Sequence, residues 1–316
     1  MTGPPPRDAA SAHSDAIAPV LTFGSAGPIV VVTAGLHGWE TSAIALAWEI
    51  ADRLSSLDAA GTLYAKVSVL PVCNPGGTLA MSRFEPDTGA DLNRIFPADG
   101  RIPSHSALSA LAHRISASDI YIDLHSAGAA TYWPHVLVSS RERLAEAPEF
   151  GLRFALLRGG GDHELGTSLS FAEAHGALAY CLEVAGGTRV EPSMVADGVA
   201  AVSRFLRHRG LLNDEALAEG DETVLYPCDP RTILKTKADG IFYSKHSVGR
   251  VVEAKEVIGH RIDSNTWQRE PIVAGEPGSV IYLRSESRVR PGDTLAMILP
   301  PRESVNEGAK PKTLLV

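Results

Sequence analysis

Along the chain, short apolar runs rich in β-branched residues alternate with longer stretches in which apolar positions recur every three or four residues. PIVVVTA (28–34), AKVSVLPV (65–72), DIYIDLH (119–125), HVLVSS (135–140) and LAYCLEV (178–184) have the length and composition of buried strands. Helical spacing runs through ETSAIALAWEIADRLSS from Glu40, SHSALSALAHRISAS from Ser104 and SRERLAEAPEFGLRFALL after residue 140. It continues in TSLSFAEAHG, where Thr167 or Ser168 suits an N-cap and Gly176 a C-cap. The last such stretch, PSMVADGVAAVSRFLRHRG, has proline in its first turn and glycine at its end. Strands alternating with helices predict an α/β fold with a mostly parallel or mixed central sheet flanked by helices.

Past residue 210 the texture changes. NDEALAEGDE is an acidic connector, and after it come short β-rich pieces punctuated by glycine, such as GRVVEAKEVIGHRI and EPIVAGEPGSVIYLRS. The expected organisation is a disordered N-terminal arm (1–20), an α/β domain (21–212) and a small C-terminal β domain (213–316). The tail ESVNEGAKPKTLLV reads as loosely held.

Composition narrows the function classes. The 316 residues carry a formal charge of -8, which argues against nucleic acid as the main partner, since phosphate binding needs clustered Lys and Arg. No apolar run approaches the roughly 20 residues that span a bilayer. MTGPPPRDAASAHSD lacks the apolar region of a secretory signal. Three cysteines, Cys73, Cys181 and Cys228, make a poor disulfide framework and favour a reducing, cytoplasmic compartment. The reading leaves room for a homo-oligomer.

The first strand ends in GLHGWE. Ligands of open α/β sheets bind at the carboxyl ends of strands, and His37 and Glu40 stand just past one, three residues apart at a helix start. Imidazole and carboxylate both ligate zinc, and a catalytic zinc site has three protein ligands with the fourth position wet. DIYIDLHSAG supplies His125 at another strand end as the third candidate. Alternation puts Asp123 on the same side as His125, either as a group that orients the imidazole or as a turn residue. Metal hydrolysis also needs a base. Glu183, in the apolar run LAYCLEV, is the candidate, because a buried carboxylate is costly unless paired or functional; the other reading is an edge-strand glutamate facing solvent. The turn-rich segment MSRFEPDTGADLNRIFP carries Arg83, Asn93 and Arg94 and reads as an anion-recognition loop, or else as a surface loop with solvated arginines.

Taken together, GLHGWE, NPGG, DLNRIFP, DLHSAG and LEVAGG, in this order over residues 28–190, resemble the succinylglutamate desuccinylase/aspartoacylase family of zinc-carboxypeptidase-like deacylases. The resemblance implies one zinc ion per chain held by His37, Glu40 and His125. It implies Glu183 as a general base that later passes its proton to the leaving amine. Asn93 and Arg94 would hold a substrate carboxylate, and Arg83 would polarise the scissile carbonyl or stabilise the oxyanion. The implied partner is a small N-acyl amino acid with a free carboxylate, and the C-terminal β domain would narrow the entrance. DLHSAG and the overall length also look like the deacetylases that act on N-acetyl-diaminobutyrate; the acyl group stays open.

Other readings are a carboxypeptidase for short peptides, a metal-stabilised anion-binding module, and a carrier domain loaded on Lys255 in VVEAKEVIG. RGGGDHELG (158–166) has no strand feeding it and no Gly-Lys-Ser/Thr after it, so it is not a phosphate loop. His163 within it is a minor candidate for substrate contact.

Overall fold

The computed structural model describes residues 19–158, 165–186 and 189–316. The expected arm up to residue 18, and His163, lie outside the described residues. The chain begins with β1 (Leu21–Phe23), β2 (Ile29–Ala34), α1 (Thr41–Ala59), β3 (Lys66–Leu70), α2 (Pro75–Leu79) and α3 (Ser106–Ser116). It continues through β4 (Ile120–Ala127), β5 (Ala130–Val138), α4 (Arg141–Glu146), β6 (Phe154–Leu157), α5 (Ser168–Ala174), β7 (Leu178–Gly186) and α6 (Pro192–His208). The C-terminal third adds β8 (Val224–Tyr226), β9 (Thr232–Lys235), β10 (Gly240–Tyr243), β11 (Val251–Val252), β12 (Val257–Asp263) and β13 (Arg269–Val273). It closes with β14 (Gly278–Arg284), β15 (Arg288–Val289), β16 (Thr294–Leu299) and β17 (Lys312–Leu315).

The five predicted strands are all present, in a mixed sheet. Its centre, β3-β2-β4-β7, is parallel, and β5 joins β7 antiparallel. Helices cover both faces. Val30 and Val32 of β2 pack with Leu46 of α1 and Phe205 of α6, while Val31 packs with Leu108 of α3 and Phe171 of α5. A strand covered on both faces has no polar side to show, which is why β2 reads as a near-continuous apolar run and β4 does so up to Asp123. The sheet does not stop at the α/β unit. It continues β5-β14-β16-β9-β17, so that C-terminal strands extend it, and β10, β12, β13 and β15 form a second, four-stranded sheet. Among the described residues no helix is long and apolar enough to cross a membrane.

Three expectations fail for local reasons. The single helix read after residue 140 is α4, a 3-10 turn over Ala147–Phe150, and then strand β6, so a strand does lead into RGGGDHELG, although no Gly-Lys-Ser/Thr follows there. Pro148 lies in the turn and Gly151 ends it in the left-handed region at φ +62, after which FALL pairs with His135–Val138 of β5. The tail is not loose at its end: Lys312–Leu315 run parallel to β9 as an edge strand. The short alternation in KTLL carried too little signal against the polar residues before it.

His135 of β5 is fully buried, its Nδ1 2.8 Å from the Trp133 carbonyl, and its Nε2 has no partner among the described residues. Burial, with help from the charge of Arg231, pushes its pKa down from 6.5 to about 4. The unfolded chain therefore binds the proton more readily between those values, so stability is full above pH 6.5 and falls as pH drops toward 4. Denaturant titrations at pH 7.5 and pH 5 should show the wild type losing about 2 kcal/mol more than a non-titrating His135→Asn variant. Equal losses would remove His135 as the acid-sensitive group.

Candidate active site

Parallel neighbours bring their carboxyl ends to one edge of a sheet. Ala34 of β2 lies beside Leu124 of β4, and His125 of β4 beside Glu183 of β7. His37, three residues past the end of β2, and Glu40, at the N-cap of α1, thus arrive next to His125. The Glu40 carboxylate takes one imidazole on each oxygen: Oε1 is 2.8 Å from His37 Nδ1 and Oε2 is 2.9 Å from His125 Nδ1. Ligand atoms of the three residues all lie within 4.8 Å of one another, and all three residues are buried.

The motif glycines let the loops close this tightly. A Cβ on Gly38 would stand 2.0 Å from the backbone carbon of Gly77, so GLHG and NPGG pack backbone to backbone. A Cβ on Gly128 would stand 2.2 Å from the Trp39 indole. The Trp39 backbone N–H donates to the Ser82 carbonyl at 3.1 Å, and Asn74 Nδ2 donates to the Leu36 carbonyl at 3.3 Å.

Each imidazole has its own outer carboxylate. His37 Nε2 is 3.1 Å from Asp91 Oδ1, and His125 Nε2 is 2.9 Å from Asp123 Oδ2. A carboxylate only accepts, so with an ion held between His37, Glu40 and His125 the outer carboxylates would keep the imidazole protons on Nε2 and leave each Nδ1 free to ligate. Asp123 is held in turn by the Thr33 hydroxyl at 2.8 Å and the Ser168 hydroxyl at 2.6 Å. Burial alone would raise the carboxyls of Glu40 and Asp123, but the charge and hydrogen bonds of the histidines outweigh it and hold both below the usual range. Burial works against protonation of His125, yet Asp123 and Glu40 raise it well above an ordinary histidine. Three carboxylates around two imidazoles make a centre that seeks positive charge, and imidazole nitrogen with carboxylate oxygen is a donor set that fits zinc.

The remaining sequence candidates surround this centre. Glu183 is half-buried, but its Oε2 is buried with no partner among the described residues, and burial, with Glu40 adding, raises its pKa against the pull of His125, Arg158 and Arg231. Arg83 donates from Nε and Nη2 to Asp91 Oδ2, both at 2.9 Å, which leaves Nη1 3.9 Å from Glu40 Oε1. Asn93 is committed at both ends: Nδ2 lies 3.0 Å from His125 Nε2, and Oδ1 accepts from the Ser168 N–H at 2.8 Å. Arg94 is exposed at the cavity wall, with Nη1 donating to the Asn93 carbonyl at 2.6 Å.

All of these residues line one cavity of about 460 Å³. Its wall also holds residues that the sequence reading passed over, among them Tyr132, Arg158, Arg231, Tyr282 and Arg284. Asp91, the outer partner of His37, was missed too, although it opens the motif DLNRIFP; the matching role already weighed for Asp123 was the available signal.

The sequence model of the succinylglutamate desuccinylase/aspartoacylase catalytic domain matches residues 26–209. The chain is 27% identical over 299 residues to the N-alpha-acetyl-L-2,4-diaminobutyric acid deacetylase of Halomonas elongata, a match that covers 88% of this chain and 84% of that protein. Its fold is similar to the succinylglutamate desuccinylase/aspartoacylase of Rhodobacter sphaeroides (TM-score 0.69, 24% identity, 87% and 86% of the two chains). It is similar also to the product-bound ectoine utilization protein EutE (DoeB) of Ruegeria pomeroyi (TM-score 0.75, 19% identity, 89% and 88%). With its sheet, its His-Glu-His centre and the match over more than half its length in agreement, the chain belongs to the succinylglutamate desuccinylase/aspartoacylase family.

Proposed function

We propose that this chain is a zinc-dependent amidohydrolase that releases the acyl group from a small N-acyl amino acid. The observation that carries the reading is one buried carboxylate, Glu40, shared by the Nδ1 atoms of two imidazoles, with the unpartnered Oε2 of Glu183 lining the same cavity. His37, Glu40 and His125 would hold one ion per chain. When bound, zinc supplies Lewis acidity to a water and to the scissile carbonyl.

The chain's own groups do the rest. Glu183 accepts a proton from the attacking water and later delivers it to the leaving amine nitrogen, a role suited to a carboxyl whose pKa is raised. Arg83, anchored by Asp91, offers Nη1 to the carbonyl oxygen as negative charge develops there. Arg94 pairs with the substrate carboxylate, while Asn93 fixes the loop that carries it against His125 and Ser168. Asp91 and Asp123 would hold the imidazole protons on Nε2, leaving each Nδ1 to ligate the ion. The wall of C-terminal residues beside the cavity favours a small substrate over a peptide, and a carboxyl kept buried without a partner favours turnover over mere anion capture. Three free buried cysteines suit a reducing, cytoplasmic setting.

Metal analysis should find zinc lost from His125→Ala, and chelator competition should find zinc affinity lowered about 10- to 100-fold in Asp91→Asn; wild-type affinity in both would remove the metal centre. Glu183→Gln should keep zinc while amine release from a panel of N-acetyl, N-succinyl and N-formyl amino acids falls about 10²- to 10⁴-fold. Substantial turnover in that variant would exclude it as the base. Arg94→Ala should raise KM about tenfold or more, the loss of one charge-assisted pair. An unchanged KM would show that the carboxylate is held elsewhere.

A further inference from the structure

One wall of the cavity is built by side chains from adjacent strands of the shared sheet: Glu183 of β7, Tyr132 of β5, Tyr282 of β14 and Met297 of β16. Tyr132 lies opposite Tyr282, and Tyr282 opposite Met297. Met297 lies opposite Ile233 of β9, and Arg231 directly precedes that strand. Arg231 belongs to the cavity lining, and its side chain is 13% exposed. Asp229 grips it with both oxygens, Oδ1 on Nε at 2.6 Å and Oδ2 on Nη2 at 2.5 Å. Its Nη1 meets the Met297 thioether at 3.9 Å, a weak acceptor.

A guanidinium held this way is pre-oriented, keeps donors on Nη1, and has its charge matched. A second carboxylate at Nη1 would gain little from a cation already paired and would sit near the like charges of Asp229 and Glu183. A neutral oxygen would gain a donor without that repulsion. The neighbouring Arg284 is balanced in the same manner, by Asp293 at 3.1 Å and Glu286 at 3.2 Å. Arg231 and Arg284 thus each already face a carboxylate.

Building on the deacylase reading, we propose that Arg231 is a specificity-determining residue whose Nη1 receives an uncharged oxygen, amide or hydroxyl, on the substrate's side chain, and that Asp229 sets this preference against a second carboxylate. The substrate class that follows is N-acyl amino acids with neutral polar side chains.

The test uses isosteric pairs on the zinc-loaded full chain: N-acetyl-L-asparagine against N-acetyl-L-aspartate, and the glutamine and glutamate equivalents, with N-acetyl-L-2,4-diaminobutyrate as the cationic member. Wild type should favour the amides over the carboxylates by tenfold or more in kcat/KM, mainly through KM. Asp229→Asn should shrink that ratio at least tenfold, and Arg231→Gln should raise KM for the amides alone; Arg231→Lys is a second variant should Arg231→Gln not fold. Preference for the carboxylate or the ammonium side chain in wild type, or an unchanged ratio in Asp229→Asn, overturns the inference. Calorimetric titration of the same zinc-loaded proteins with free L-asparagine and L-aspartate separates the two readings. No hydrolysis of any member removes the deacylase reading, while the ratio of the two dissociation constants still decides the role of Arg231, and no binding of either overturns it.

Discussion

A carboxylate buried between two imidazoles is the interaction on which the rest of this structure depends. Glu40 is 5% exposed, and leaving such a charge unpaired costs several kcal/mol. Each of its oxygens meets one histidine, and the Ser126 N–H adds a third contact at 3.1 Å. The arrangement joins two distant pieces of chain: the loop that leads from β2 into α1, and the end of β4. Neither can shift without stranding a charge.

That constraint propagates outward. The histidines need acceptors on their far nitrogens, so Asp91 and Asp123 are drawn in, and Asp123 needs Thr33 and Ser168. Asp91 in turn orients Arg83. The polar network is thus nearly complete within itself, and a buried polar network that is satisfied specifies one geometry. Glu183 Oε2, Ser126 Oγ and Trp39 Nε1 stand out against it as buried atoms without partners among the described residues, and all three residues line the cavity. Part of the unmet hydrogen-bonding capacity thus lies where a ligand would meet it.

The other organising feature is a sheet shared by the α/β unit and the C-terminal strands. Because β14, β16 and β9 continue from β5, side chains far apart in sequence line one cavity with Glu183. Such placement is stiffer than a loop laid over a cleft, since backbone ladders fix the spacing of adjacent side chains at about 5 Å. Arg231 and Arg284 there each meet a carboxylate, which tempers the positive field of the wall.

Local signals were enough for the strands and for the centre itself. β2 and β4 announced themselves through β-branched runs because both faces are covered, and His37, Glu40 and His125 stood at strand ends, where an α/β sheet collects its chemistry. Glu183 drew notice because a charge inside an apolar run is expensive, and it lines the same cavity. What the sequence did not determine was anything that depends on two segments meeting. β6 looked helical until Pro148 and Gly151 are placed in a turn and FALL finds β5 as a partner. The closing strand β17 exists only because β9 offers an open edge. Asp91 shared its motif with the named residues, but its partner His37 is 54 positions away. Arg231 had no local mark at all, since its meaning comes from Asp229, Met297 and Glu183 being brought around one cavity. Periodicity and residue cost are properties of a single segment, while pairing and charge balance are properties of a contact, and contacts between distant segments are settled only when the chain folds.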